Sequence, residues 1–172
     1  MFGRKTTKPS TQYQRILKEY NDLRKDHPKQ ADDIVRGIYL GFALDTVDYF
    51  KTMGIDLDFS VESIKHIEKE LDELHDSLAA AEPPEDAVIT RAKAYGGYVG
   101  TVLTIHAPEY HWSCVSNDVK DYSSIVITNG NQTCFVVQKA YKQLLNGHED
   151  SIWTLACVIL GKAKDITSKY AL

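Results

Sequence analysis

The chain has 172 residues, 43% of them hydrophobic and 26% charged, with a formal net charge of −4 at pH 7. That length suits one domain with one core, the composition excludes global disorder, and no apolar run approaches the roughly 20 residues a membrane helix needs. The charge is unevenly spread: residues 1–30 carry eight Lys/Arg against three Asp/Glu, residues 31–90 four against fifteen, and residues 91–172 eight against six.

An acidic field in the second of these segments attracts cationic partners and repels nucleic-acid phosphates, so neither nucleic acid nor membrane is an expected partner. Met1 to Gln12 contains Arg4, Lys5 and Lys8 but no following apolar run, which is not the pattern of a secretory signal, and a cytoplasmic location is expected. Residues 1–10 are expected to be flexible. The basic stretch 1–30 is free either to fold back on the acidic helices or to meet an external partner. Cys114, Cys134 and Cys157 are odd in number and form no CxxC pair, so they are expected as small buried hydrophobes and not as a disulfide framework or a zinc cage.

In chain order, a helix is predicted over 11–26, capped by Ser10 or Thr11, with Tyr13, Ile16, Leu17, Tyr20 and Leu23 at helical spacing and an end at His27-Pro28. The second, Ala31 to Met53, has Ile34, Val35, Ile38, Phe42, Val47 and Phe50 as its apolar face and Gly54 after its last turn, and is expected to be the central helix. Ser60 can cap a third, to Leu78, with a stripe of Ile64, Ile67, Leu71, Leu74 and Leu78. Its acidic faces place it on the surface. Residues 79–86, with Pro83-Pro84, read as a connector inside one domain spanning 1–172.

A fourth helix is predicted over Glu85 to Ile105. Ala92, Gly96 and Gly100 recur at four-residue steps with Gly97 beside them, and since Gly costs about 1 kcal/mol against Ala in a helix, their concentration implies very close backbone packing. After Pro108, three strands are predicted at Tyr110–Ser116, Tyr122–Thr128 and Gln132–Gln138, with Asn129-Gly130 as a type I′ hairpin turn. Helices at 138–146 and 150–164 close the chain. The fold class is α+β: four helices, a small antiparallel sheet of about three strands, then two helices.

No catalytic set accompanies this order. There is no GxSxG elbow, no papain-like cysteine, no GxGxxG or GxxxxGK[ST] phosphate loop, and no HExxH, so no cofactor is expected. His66 and Glu68 form an HxE without the downstream thiolates of a zinc deaminase. His66, Glu70 and Glu73 share a helix side and could hold a cation weakly or form a solvated face. Asp45 and Asp48, one turn apart, could share a proton, hold a metal, mark an exposed edge or pair with Arg/Lys of the basic N-terminus; the last two are the expected roles, and no metal is assigned. Glu109, Tyr110, His111 and Trp112 form the most site-like cluster, able to line a pocket or serve as interface anchors, with Trp112 expected in the core.

The order of helices, the Ala92–Leu103 stretch (AKAYGGYVGTVL), the Tyr110-His111-Trp112 strand entry and the Tyr141–Ile152 stretch (YKQLLNGHEDSI) resemble small bacterial α+β proteins of the polymorphic-toxin immunity type. The resemblance implies a non-enzymatic immunity protein that binds and neutralises a cognate toxin domain. Asp45, Asp48, Glu109, Tyr110 and His111 are the expected partner-binding residues. Two alternatives stay open: a small-ligand or regulatory domain with a pocket between the fourth helix and the sheet, and a hydrolase with a carboxylate/His site.

Overall fold

The computed structural model describes residues 11–26, 30–116 and 118–162, and its elements follow the expected order. Helices α1 (Thr11–Lys25), α2 (Ala31–Thr52), α3 (Ile64–Ala81) and α4 (Glu85–His106) lead into strands β1 (His111–Cys114), β2 (Ile125–Thr128) and β3 (Thr133–Cys134), and helices α5 (Val136–Asn146) and α6 (Ile152–Ile159) end it. The three strands form one antiparallel sheet in the order β1-β2-β3, with Trp112 opposite Ile127 and Ile127 opposite Cys134. Ser10 and the His27-Pro28 stop lie outside the described residues. Among the described residues no helix is long and apolar enough to cross a membrane.

The central helix is α4, not α2. Its residues from Tyr95 to Leu103 are all buried, with α2 packed on one side and α5 on another. The glycines explain this. A Cβ on Gly96 would sit 2.7 Å from the Val137 Cα of α5, and one on Gly97 would sit 3.1 Å from the Tyr39 carbonyl of α2. Two helices therefore approach α4 backbone to backbone, which a longer side chain would forbid.

That arrangement also rotates α2 from its expected face. Tyr39, Leu40, Ala43 and Leu44 are buried together with Val35, Val47 and Phe50, whereas Ile34 and Phe42 are half-buried and Ile38 is 40% exposed. Helix α3 buries Ile64, Ile67 and Leu71 as expected, but it is not wholly a surface helix, because Lys65 and Glu68 are buried too. It runs on to Ala81, and the connector shrinks to Glu82–Pro84, with Glu82 in the left-handed region.

The strands are shorter than predicted. A 3-10 turn occupies Tyr122–Ser124, and α5 starts at Val136, so the β-branched pair Val136-Val137 is helical. There its burial against α4 outweighs strand propensity. The hairpin is not a type I′ turn. Gly130 alone of the pair has positive φ, and the Asn129 side chain accepts from the N–H groups of Asn131 and Gln132 to close a four-residue loop.

Helix α6 ends at Ile159, short of the predicted 164, and is not buried all round, since Val158 is 63% exposed. Its start is fixed from three sides. Gln143 Oε1 accepts from Ile152 N–H at 2.8 Å, Glu68 Oε2 from Trp153 N–H at 3.1 Å, and Ser151 Oγ from Thr154 N–H at 3.1 Å. These are N–H groups that a helix cannot satisfy itself, and the Glu68 carboxylate also suits the positive end of the helix dipole. Of the cysteines, Cys157 is buried as expected, but Cys114 and Cys134 are only half-buried, and Cys114 Sγ lies 3.2 Å from Ser124 Oγ.

Candidate functional site

Gly100 sets the geometry of the most site-like region. Without a side chain it admits the Trp112 ring to the α4 surface, where a Cβ would lie 2.3 Å from Cη2 and 2.5 Å from Cζ2. The indole is held from its other side by Tyr39 of α2, stacked at 4.9 Å. The chain turns from α4 into β1 within Ala107–Tyr110, where Tyr110 N–H donates to the Ala107 carbonyl at 2.9 Å. Helix α1 then closes over the junction with Ile16.

These four elements line a half-open cavity of about 230 Å³. Ile16, Leu40, Ile105, Pro108 and Trp112 are its apolar lining, Thr101 and Thr104 come from α4, Tyr110 and His111 from the start of the sheet, and Arg15, Glu19 and Arg36 from α1 and α2. Arg36 is paired with Glu19. Tyr110, itself buried, donates its hydroxyl to Gln132 Oε1, tying the lining to the hairpin. A wider, open crevice along the α1–α2 seam shares Arg15, Glu19 and Arg36 with this cavity.

Two lining residues carry buried polar atoms. Thr101 is 1% and Trp112 2% exposed, and neither Thr101 Oγ1 nor Trp112 Nε1 has a hydrogen-bond partner among the described residues. The neighbouring Thr104 hydroxyl, by contrast, donates to the Thr101 carbonyl at 3.0 Å. A buried polar atom left unpaired costs about 1–3 kcal/mol, and both atoms are shielded from the cavity by the packing around them.

The expected partner-binding residues divide. Tyr110 and His111 line the cavity, and Glu109 is exposed beside them in sequence. Asp45 and Asp48 do not line it; both are exposed on α2. Neither enters an ion pair among the described residues, so the expected pairing with basic N-terminal residues is not found there. Asp48 instead faces Tyr13 of α1, whose phenol is pushed up first by burial and then by that carboxylate. Trp112 is in the core as expected.

Thr101, Arg15 and Arg36 line the cavity without having been among the expected site residues. A signal existed for Thr101, the one hydroxyl in the otherwise apolar or small run Gly96–Leu103 apart from the phenol of Tyr98. No local pattern marked the arginines.

Among the described residues, His66, Glu70 and Glu73 do not converge, and neither Asp45 nor Asp48 joins a histidine in a ligand set. The set with metal-binding spacing is Glu68, Asp72 and His148, whose ligand atoms lie within 4.8 Å of one another. It coincides with the α6 start: Glu68 accepts from Trp153 N–H, and Asp72 accepts from Gln143 Nε2 at 2.8 Å. Those bonds give both carboxylates a structural role at the junction of α3, α5 and α6.

Comparison with protein-family models, curated proteins and solved structures returned no match.

Proposed function

We propose that this chain works by binding and not by catalysis, and that the cavity between α4 and β1 holds a small ligand. The observation that supports this reading is the cavity itself, whose apolar walls of Ile16, Leu40, Ile105, Pro108 and Trp112 are edged by the polar side chains of Thr104, Tyr110, His111 and Arg15. Small-molecule sites combine apolar walls with a few placed polar groups in this way. At about 230 Å³ the space is below the roughly 300–1,000 Å³ of drug-sized sites, so the ligand is small. Thermal melting of the purified protein against a panel of small metabolites tests it. A ligand should raise the melting temperature in a concentration-dependent way, and the rise should vanish in Thr104→Phe, which fills the cavity. Stabilisation that survives filling, or none across the panel, would count against the reading.

A second reading, the immunity protein that neutralises a cognate toxin domain, is supported by a different observation. Of the fifteen acidic residues in 31–90, only Glu68 is buried, so that acidic charge remains available to speed encounter with a basic partner. Association with the toxin domain encoded by the adjacent gene should be fast at low salt and slowed by Asp45→Lys with Asp48→Lys. No association, and no loss of protection on deleting this chain, would end that reading.

A further inference from the structure

We infer that the exposed face of α2 docks a basic amphipathic helix of a partner protein, an inference that rests on the second reading, of a chain that binds a basic protein. Residues three and four apart lie along one side of a helix, so Ile38, Phe42, Asp45, Tyr49 and the C-cap Met53 form a row about 22 Å long, with Asp48 beside it. The sides of α2 that flank this row are taken. On one, α1 packs so closely that a Cβ on Gly41 would sit 3.0 Å from the Tyr20 ring; on the other, Thr46 Oγ1 donates to the Ala94 carbonyl of α4 at 3.0 Å. The row itself faces outward: Ile38 is 40%, Tyr49 37% and Met53 42% exposed. The other large apolar side chains exposed among the described residues, Val115, Phe135, Leu145 and Val158, are spread over the β1–β2 loop, the two ends of α5, and α6. Isolated exposed apolar residues are ordinary, whereas three in line mark a contact surface.

The chemistry of the row selects the occupant. Asp45 and Asp48 stand between its apolar ends, are exposed, and enter no ion pair among the described residues. Arg91 of α4 lies over the Tyr49 ring at 5.0 Å and fixes it, and two carboxylates against that cation leave the row net negative. A partner must therefore bring Lys or Arg beside apolar side chains. Repulsion excludes nucleic-acid phosphates and anionic lipid. An extended peptide draws its affinity from main-chain bonds to a sheet edge, which a helix face cannot offer. A second helix instead lays its own row of i, i+3, i+4 side chains against this one.

The probe is a Leu/Lys peptide of about 15 residues, long enough to hold a helix against a surface, with its Leu/Glu counterpart as control. Titrated into the ¹⁵N-labelled full chain, the Leu/Lys peptide should shift the backbone amides of Ile38, Asp45, Tyr49 and Met53 most, and the Leu/Glu peptide should not. Asp45→Asn with Asp48→Asn should weaken binding about tenfold, as two exposed ion pairs together do. Ile38→Ser should weaken it as well, with the melting temperature unchanged. No shift of these amides at about 1 mM peptide, or shifts confined to another face, overturns the inference. Row amides that move on diluting the chain alone assign the face to a second copy, and row amides that move in Arg4→Gln, Lys5→Gln, Lys8→Gln assign it to the chain's own basic start; either result overturns it too. If the toxin domain encoded by the adjacent gene binds wild type and the α2 variants equally, the docking face fails and the protein-binding reading stands. If neither that domain nor the peptide binds, both fail.

Discussion

Replacing Thr101 by Val tests the unpartnered hydroxyl buried beside the cavity. The two side chains have nearly the same shape and similar helix propensity, so the change exchanges one hydroxyl for a methyl at a position 1% exposed. If the hydroxyl has no partner, removing it relieves a desolvation cost of about 1–3 kcal/mol. The added methyl contributes about 0.8 kcal/mol of burial at most. Allowing for imperfect packing, the ligand-free variant should be about 1–2 kcal/mol more stable than the wild type. For a domain of this size that raises the melting temperature by about 3–6 °C. Urea unfolding followed by tryptophan fluorescence measures it, with Thr101→Ser as control, since that variant keeps the hydroxyl and loses a methyl and should be less stable. A Val variant destabilised by about 1 kcal/mol or more would mean that the hydroxyl is already satisfied, and the reasoning from it would be wrong.

The remaining predictions concern packing, the α6 start and pH. Gly96→Ala should cost about 1–3 kcal/mol, read from urea midpoints, because its Cβ would lie 2.7 Å from the Val137 Cα, which is backbone and cannot swing aside. Glu68→Ala should cost about 2–4 kcal/mol by unsatisfying the Trp153 N–H and opening a cavity; Glu68→Gln keeps an acceptor and should lose less. The Asp150 carboxyl is held below the usual range by the Asn146 side chain and then by Lys139, with bonds of 2.8 Å each. Its contribution is therefore present above the unfolded value of about 3.9 and lost as pH falls through the lower folded value. Asp150→Asn should accordingly cost about 1 kcal/mol at neutral pH, and the gap from wild type should narrow in unfolding curves taken below pH of about 4.

The fold was legible where a sequence feature has one physical explanation. Gly96 and Gly100 recurring with Ala92 admit few readings besides close approach, and α4 has α5 and Trp112 against those two glycines. The stripe Ile64, Ile67, Leu71 likewise marked the buried side of α3. Legibility failed where neighbours distant in sequence decide. The apolar residues of α2 surround much of the helix, and which side is buried depends on how α4 and α1 lie against it, so Ile38 was assigned inward and Tyr39 was not. Val136 and Val137 have strand propensity, yet the backbone approach to Gly96 makes them the first turn of a helix.

The site divides along the same line. Tyr110 and His111 were legible because aromatic and ionisable residues cluster after Pro108. Arg15 and Arg36 were not, because only the packing of α1 over α2 and α4 brings them to that cavity. Buried Glu68 was hidden among the acidic residues of α3, since its reason to be buried is the start of α6 much later in the chain.

A crystal structure of the full chain soaked with a small metabolite that raises its melting temperature tests the ligand site most directly. The expected result is density for the ligand in the cavity, with its apolar part against Ile16 and Leu40. A cavity filled by the protein's own side chains, with no density for the ligand, would contradict the proposed function.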